Sequence, residues 1–311
     1  MSKIGLFVGV ERGFQVLSAL IANDRDISGV LILEQKNHEI ENYASRLEKL
    51  CMDNNILYKK SSEVKSTDYK SYIESIDCDV LFVVSWRFLI PKECFSIPTH
   101  GIFVLHDSLL PKYRGWAPTN WVIINGEKET GLSLQYISEG MDAGDIVDQI
   151  KIKIDDAETA YTLNKKFLEI YPKIILDNVD SIINSTNKRT VQDENSASFG
   201  CKRGPEDGKI DFTLMSTQQI TRLVRGLSFP YPGAFCHYRD REVIVWEVSE
   251  VSLPLNYVGR VPGRIVQIND EYVDVLTTDG VLRIMKISYA DDPTYILKPK
   301  EILHTISSKL S

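Results

Sequence analysis

The sequence predicts an α/β chain in which a mostly parallel sheet flanked by helices precedes a smaller C-terminal β-rich, barrel-like domain. Three observations lead there. Uninterrupted apolar runs alternate with amphipathic helical stretches in the first part of the chain, residues 184–198 lose all apolar periodicity, and short strands with glycine turns crowd the remainder. Runs that are apolar throughout suit strands covered on both faces, the signature of a parallel sheet between helices. A length of 311 residues suits two domains.

Taken in order, Lys3 to Val8 reads as a buried strand, Gly9 to Gly13 as a loop, and Phe14, Val16, Leu17, Leu20 and Ile21 recur at helical spacing. Gly29 to Leu33 is a second strand, Ile40 to Asn54 a second amphipathic helix, and Val80 to Val84 a third strand. Phe103 to His106 ends another apolar run on a histidine. Leu132 to Tyr136 and Ile146 to Ile154 read as strands around a glycine-rich turn, and Thr159 to Ile183 as a long helix. These elements form a first domain, 1–184, joined by a linker, 185–199, to a second, 200–311. In the second, Ser216 caps a helix to Leu227, and strands are expected over Val243–Val248, Gly263–Ile268, Tyr272–Leu276 and Val281–Ile284, the close spacing of a small barrel.

Charge and cysteine usage narrow the functions. The net charge of −7 argues against a broad positive field for nucleic acid or anionic membrane. The five cysteines form no CxxC pair, which argues against a zinc site or a disulfide framework and for a reducing cytoplasm. No run approaches the roughly 20 apolar residues of a membrane helix. The first loop lacks the GxGxxG spacing of a dinucleotide site.

The candidate site centres on His106, because ligands gather at the carboxyl ends of strands in such sheets. Strand alternation puts Ile102, Val104 and His106 on one face. Asp142, in the turn after the next strand, is placed to reach back to the imidazole, and a His–carboxylate pair holds the ring in one tautomer or keeps it cationic. Read alone, His106 is equally an ordinary strand-end histidine, and Asp142 an ordinary turn former.

The ordered pieces Ser108-Leu109-Leu110-Pro111, Tyr113-Arg114-Gly115, Ala117-Pro118, Ile124-Asn125-Gly126-Glu127, Glu129-Thr130-Gly131 and Glu139 to Ile146 resemble the folate-dependent formyltransferases. This family includes methionyl-tRNA, glycinamide ribonucleotide and sugar N-formyltransferases. Lys202 to Gly208 with Ile210-Asp211 resembles the start of the family's C-terminal domain, and Arg225, Pro232, Gly233 and Ala234 match a further segment. The resemblance covers nearly the whole chain. It implies a Rossmann-like formyltransferase catalytic domain, an OB-like small domain, and 10-formyltetrahydrofolate as formyl donor, with no metal. By resemblance His106 donates to the oxyanion formed when an amine attacks the formyl carbon, and Asp142 orients it and helps the proton leave. Trp86, Arg87, Phe88, Leu89 and Ile90 resemble the folate-contacting loop, with Ile137, Glu139 and Gly140 as further folate contacts.

One position departs from the family. The pattern is Asn-x-His, and this chain has Val104-Leu105-His106. Losing one oxyanion donor costs about 10²–10³ in rate. Either a backbone N–H, water or the Ser108 hydroxyl replaces the amide, or a different group is transferred, or the chain is an impaired or merely binding relative. Asp107 cannot replace it while ionised, since a carboxylate only accepts.

The Leu109 to Trp121 segment is similar to the sugar-nucleotide branch, including the formyltransferase domain of the bifunctional aminoarabinose-modifying enzyme. The acceptor implied is a nucleotide-linked amino sugar for surface polysaccharide such as lipopolysaccharide or O-antigen, in the cytoplasm. Ser108, Lys112, Arg114, Trp116, Lys202 and Arg203 are the candidate acceptor contacts, the cations for a diphosphate and Trp116 or Tyr113 for a base. Solvated lysines and a core tryptophan are the plainer readings of the same residues. A tRNA acceptor would ask for a basic stripe that the acidic balance does not suggest. Homodimerisation through the small domain is compatible with the sequence.

Overall fold

The computed structural model describes residues 2–34, 41–251 and 257–311. In chain order the elements begin with β1 (Ile4–Val8), α1 (Val10–Ala22), β2 (Ile27–Ile32), α2 (Tyr43–Asp53), β3 (Tyr58–Lys60), α3 (Tyr69–Ile76) and β4 (Val80–Val84). Then come β5 (Ile102–His106), β6 (Arg114–Gly115), α4 (Pro118–Ile124), β7 (Glu129–Tyr136), β8 (Ile146–Lys153), α5 (Ala160–Ile183) and β9 (Phe199–Gly200). The last are α6 (Thr217–Gly226), β10 (Ala234–Tyr238), β11 (Arg241–Glu250), β12 (Ile265–Ile268), β13 (Val273–Leu276), β14 (Val281–Tyr289), β15 (Asp292–Leu297) and α7 (Pro299–Ile302).

One compact unit comprises Met1–Trp116, Glu129–Lys153 and Lys165–Gly200; the other comprises Ala117–Lys128, Ile154–Asn164 and Cys201–Ser311. The first carries a seven-stranded sheet in the order β3-β2-β1-β4-β5-β7-β8. Strands β3 to β5 pair in parallel, and β5-β7 and β7-β8 are antiparallel. Every residue of β1 and of β4 is buried, as expected of central strands covered on both faces. The order turns back at β1, whose neighbours are β2 on one side and β4 on the other, and such a reversal opens a crevice at the carboxyl ends of the strands.

The sequence expectations meet differences here. Helix α1 starts at Val10 rather than after Gly13, so Arg12 lies in its first turn. Helix α2 starts at Tyr43, with the Asn42 side chain accepting from the Ser45 N–H; the expected start at Ile40 lies outside the described residues. The stretch taken as a linker, 185–199, is held within the first unit. Thr190 and Ile146 exchange both main-chain hydrogen bonds, and β9 pairs with β6.

The second unit carries the antiparallel path β10-β11-β14-β13-β12, with β15 on β14. Its two ends are bridged by the chain's last residues: Leu310 pairs with Tyr238 of β10, and Lys309 with Arg264 beside β12. His237 and Ser311 exchange main-chain hydrogen bonds, and Leu310 donates to Gly263. The C-terminal tail thus closes the sheet toward a barrel, satisfying edges that would otherwise be exposed. Its core is built on Ile220, Val224, Val245, Val275 and Ile284. Helix α6 enters it behind a capping box of Ser216 and Gln219.

Candidate active site

His106 is the last residue of β5, and the turn after it is built from side chains that bond main chain. The Ser108 N–H donates to the His106 carbonyl (2.8 Å), the Ser108 hydroxyl to the Lys112 carbonyl (2.6 Å), and the Ser133 hydroxyl to the Ser108 carbonyl (2.6 Å). This brings the Tyr113 carbonyl 2.7 Å from His106 Nε2. A carbonyl only accepts, so Nε2 carries a hydrogen. Nδ1 is the ring nitrogen not committed to main chain, and it lies 3.5 Å from Asp142 Oδ2. That separation is long for a hydrogen bond and short for an electrostatic contact between mostly buried groups.

Asp142 is held as firmly as the ring. Its Oδ2 accepts the Gly115 N–H (2.8 Å) and its Oδ1 the Gln135 amide (3.3 Å). The backbone there is left-handed, φ +50. Beneath the turn, the buried Gln192 amide donates to the carbonyls of Asp142 (2.8 Å) and Gly144 (2.7 Å), while its own oxygen accepts two bonds from Arg114. Gly115 also has to be glycine: at φ +89, a Cβ would stand 2.8 Å from Met141 Sδ.

A second wall borders the carboxyl ends of β1 and β4. The Trp86 ring lies 5.1 Å from Phe7 and 6.0 Å from Phe88, and Ile137 and Val104 pack on the same apolar cluster. Ser85, at φ +54, keeps a buried hydroxyl that has no hydrogen-bond partner.

Family models match in both units: "Formyl transferase" over residues 12–179 and "Formyl transferase, C-terminal domain" over 202–298. The chain belongs to the formyl transferase family. The methionyl-tRNA formyltransferase of Clostridioides difficile (strain 630) is 33% identical over 243 residues, 78% of this chain and 77% of that protein. The bifunctional polymyxin resistance protein ArnA of Wigglesworthia glossinidia brevipalpis is 33% identical over 267 residues, 86% of this chain but only 38% of that protein. Among solved structures, the N-formyltransferase from Helicobacter canadensis, in complex with folinic acid and dTDP-3-aminofucose, superposes with a TM-score of 0.67 at 20% identity. That match covers 93% of this chain and all of the other.

Within this formyltransferase the structure brings His106 and Asp142 together and sets Trp86 and Ile137 on one apolar cluster. Phe88 and Leu89 are exposed, Leu89 almost fully, and Ile90 is buried. Glu139 pairs with Lys92 at 2.5 Å, and the Gly140 carbonyl accepts from Ser138. Arg87 is exposed at the surface.

Two expected acceptor contacts are corrected. Arg114 is 2% exposed, its guanidinium engaged by Gln192 and by both oxygens of Glu194, so it braces the site from beneath rather than meeting a diphosphate. Ser108 is fully buried, and its one hydroxyl hydrogen goes to Lys112. Lys112 and Trp116 are exposed. Lys202 and Arg203 belong to the second unit, where the Arg203 guanidinium sits 4.7 Å above the Trp121 ring and donates to the Asp207 carbonyl. Among the described residues no group of three or more His, Cys, Asp and Glu side chains is disposed to hold a metal, and no helix is long and apolar enough to cross a membrane.

Sequence reasoning missed Gln135 and Gln192. Gln135 carried a signal, a glutamine inside the apolar strand Leu132 to Tyr136. Gln192 carried none, lying in an aperiodic polar stretch. Gly144 gives a stability test of this bracing. A Cβ there would lie 1.7 Å from the Tyr136 carbonyl oxygen. Gly144→Ala is expected to cost ~1–3 kcal/mol as β7 and β8 are forced apart. The check is a thermal melt, where an unchanged midpoint would contradict the close approach.

Proposed function

We propose that the chain moves a formyl group from 10-formyltetrahydrofolate to the amine of a nucleotide-linked amino sugar. The observation that carries the reading is the His106–Asp142 pair, 3.5 Å apart at the end of β5 beside the Trp86 wall. The wall suits a flat, polar-edged heterocycle: the partly exposed Trp86 and Ile137 pack on an apolar cluster that contains the buried Phe7, and next to Trp86 the buried Ser85 hydroxyl has no hydrogen-bond partner. Trp86, Phe88, Leu89, Ile90 and Ile137 would hold the donor, with Arg87, Glu139 and Gly140 at its polar end, and bound there it supplies the formyl carbon.

The chain's residues do the rest. His106, its Nε2–H held by the Tyr113 carbonyl, would act as an imidazolium beside Asp142, turning Nδ1–H toward the negative charge that develops on the formyl oxygen, a donor preorganised before the charge appears. The Asp142 carboxylate stabilises the ring while it donates and draws the amine proton. Lys112 and Trp116 are the exposed cation and ring that would meet the acceptor's phosphate and base.

Support for a sugar acceptor comes from the acidic balance of the chain and from the Helicobacter canadensis enzyme's bound dTDP-3-aminofucose. Such an enzyme would work in the cytoplasm to supply surface polysaccharide. A methionyl-tRNA acceptor is the second reading, favoured by the 33% identity to the Clostridioides difficile enzyme.

Incubation with 10-formyltetrahydrofolate and, separately, dTDP- and UDP-linked 3- and 4-amino sugars or methionyl-tRNA decides the acceptor. The expected result is a sugar product heavier by one carbonyl group. Formylation of methionyl-tRNA alone would overturn the sugar assignment, and no transfer to any acceptor would point to the altered-chemistry relative.

A further inference from the structure

We propose that Arg12, Asp107 and Tyr171 form a buried clamp that positions His106 for the transfer; this rests on His106 being the reacting ring of the proposed function. Asp107 directly follows His106, and strand alternation turns its side chain to the opposite face. There the carboxylate accepts the Tyr171 hydroxyl at 2.5 Å through Oδ1, while Arg12 Nη1 lies 2.6 Å from Oδ2. The Arg12 guanidinium also stands 5.3 Å from the Tyr171 ring centroid and 5.6 Å from that of Phe167, one helical turn away on the same face of α5.

The three groups arrive on separate elements: the first turn of α1, the end of β5 and the middle of α5. All are mostly or wholly buried, with Asp107 at 7% and Tyr171 at 2% exposure. Burial, and then the charge of Asp107, hold the Tyr171 phenol well above its usual pKa, so it remains a donor. A buried carboxylate needs such partners, and a satisfied one is rigid in direction. The clamp therefore fixes the peptide after His106 from behind. The Ser133 hydroxyl fixes the Ser108 carbonyl two residues on from His106, and together they set the aim of the ring toward Asp142.

The test separates positioning from bulk stability by watching the ring itself. Full-length protein labelled with 15N-histidine gives five ring systems, with His106 identified by its absence in His106→Gln. In the wild type the Nε2 hydrogen bonded to Tyr113 should exchange slowly with solvent. Tyr171→Phe keeps the volume and removes only the hydroxyl; Asp107→Asn removes the charge.

We expect that hydrogen to exchange at least about tenfold faster in both, because the ring is no longer held in one direction. Turnover of a dTDP-linked amino sugar should fall about tenfold in Tyr171→Phe and about a hundredfold in Asp107→Asn, with the folate KM changed less than about twofold. A lower melting midpoint with His106 exchange and kcat unchanged would make the clamp purely structural and overturn the proposal. Faster exchange in the variants, even where the wild type turns over no sugar, would sustain the clamp while removing the acceptor assignment.

Discussion

Replacing His106 with alanine is expected to lower single-turnover formyl transfer by about 10²–10⁴-fold, with the KM for the folate donor changed little. As an imidazolium, the ring holds beside Asp142 an Nδ1–H not committed to main chain, which it can give to a developing oxyanion. Gly115 N–H, the nearest main-chain donor at the carboxylate, is already taken by Asp142. A drop confined to kcat follows from donation in the transition state rather than in the ground state. Loss of the ring leaves the Tyr113 carbonyl without its partner, which costs on the order of 1 kcal/mol and leaves the fold standing. Rapid-quench measurement on folded His106→Ala checks this, and retention of more than about a tenth of the rate would mean that another group carries the oxyanion.

Much of this arrangement is legible in the sequence because burial writes itself into strands. Val80 to Val84 has no polar residue, and the strand it predicts is the observed β4. The half-exposed edge strand β3, Tyr58–Lys60, has three residues and two lysines, so nothing in its pattern separates it from a loop. Strand β15 begins Asp292-Pro293 and is exposed over most of its length; its pairing with β14 comes from tertiary context. The antiparallel setting of β7 and β8 follows from the tight Asp142–Gly144 turn, whereas apolarity alone reads the same in either direction.

At the site, chemistry on neighbouring residues is readable and chemistry assembled across the chain is not. His106, Asp142 and the Trp86 loop sit within motifs. The Arg114 expectation failed because a buried cation and a phosphate-binding cation look alike in sequence; Glu194 and Gln192, which bury it, lie in a stretch without periodicity. Arg12 and Tyr171 meet Asp107 only after the sheet and two helices have assembled.

Val104→Asn is expected to raise kcat by about 10², because the side chain that stood ready to compensate for the missing amide, Ser108, is committed elsewhere. The Ser108 hydroxyl is committed to Lys112 and buried. Asp107 faces away and is engaged by Arg12 and Tyr171. Val104 itself lies on the His106 face of β5, paired with Val83 and Gln135 and, like Trp86 and Ile137, only a partly buried neighbour of the apolar cluster. An amide there keeps access to water, so its stability cost stays near or below about 1 kcal/mol. Asparagine at this position would restore a second donor beside His106 Nδ1, and the gain should fall in kcat rather than KM, since the bond strengthens with the charge on the formyl oxygen. Single-turnover rates of Val104→Asn and of Val104→Leu, which adds bulk and no donor, make the comparison. A gain in the first alone means that the site is the family's own with one donor removed. A fall in both means that the apolar surface at Val104 is itself part of how the donor or acceptor is seated, and that the transfer proceeds through His106 without a second hydrogen bond.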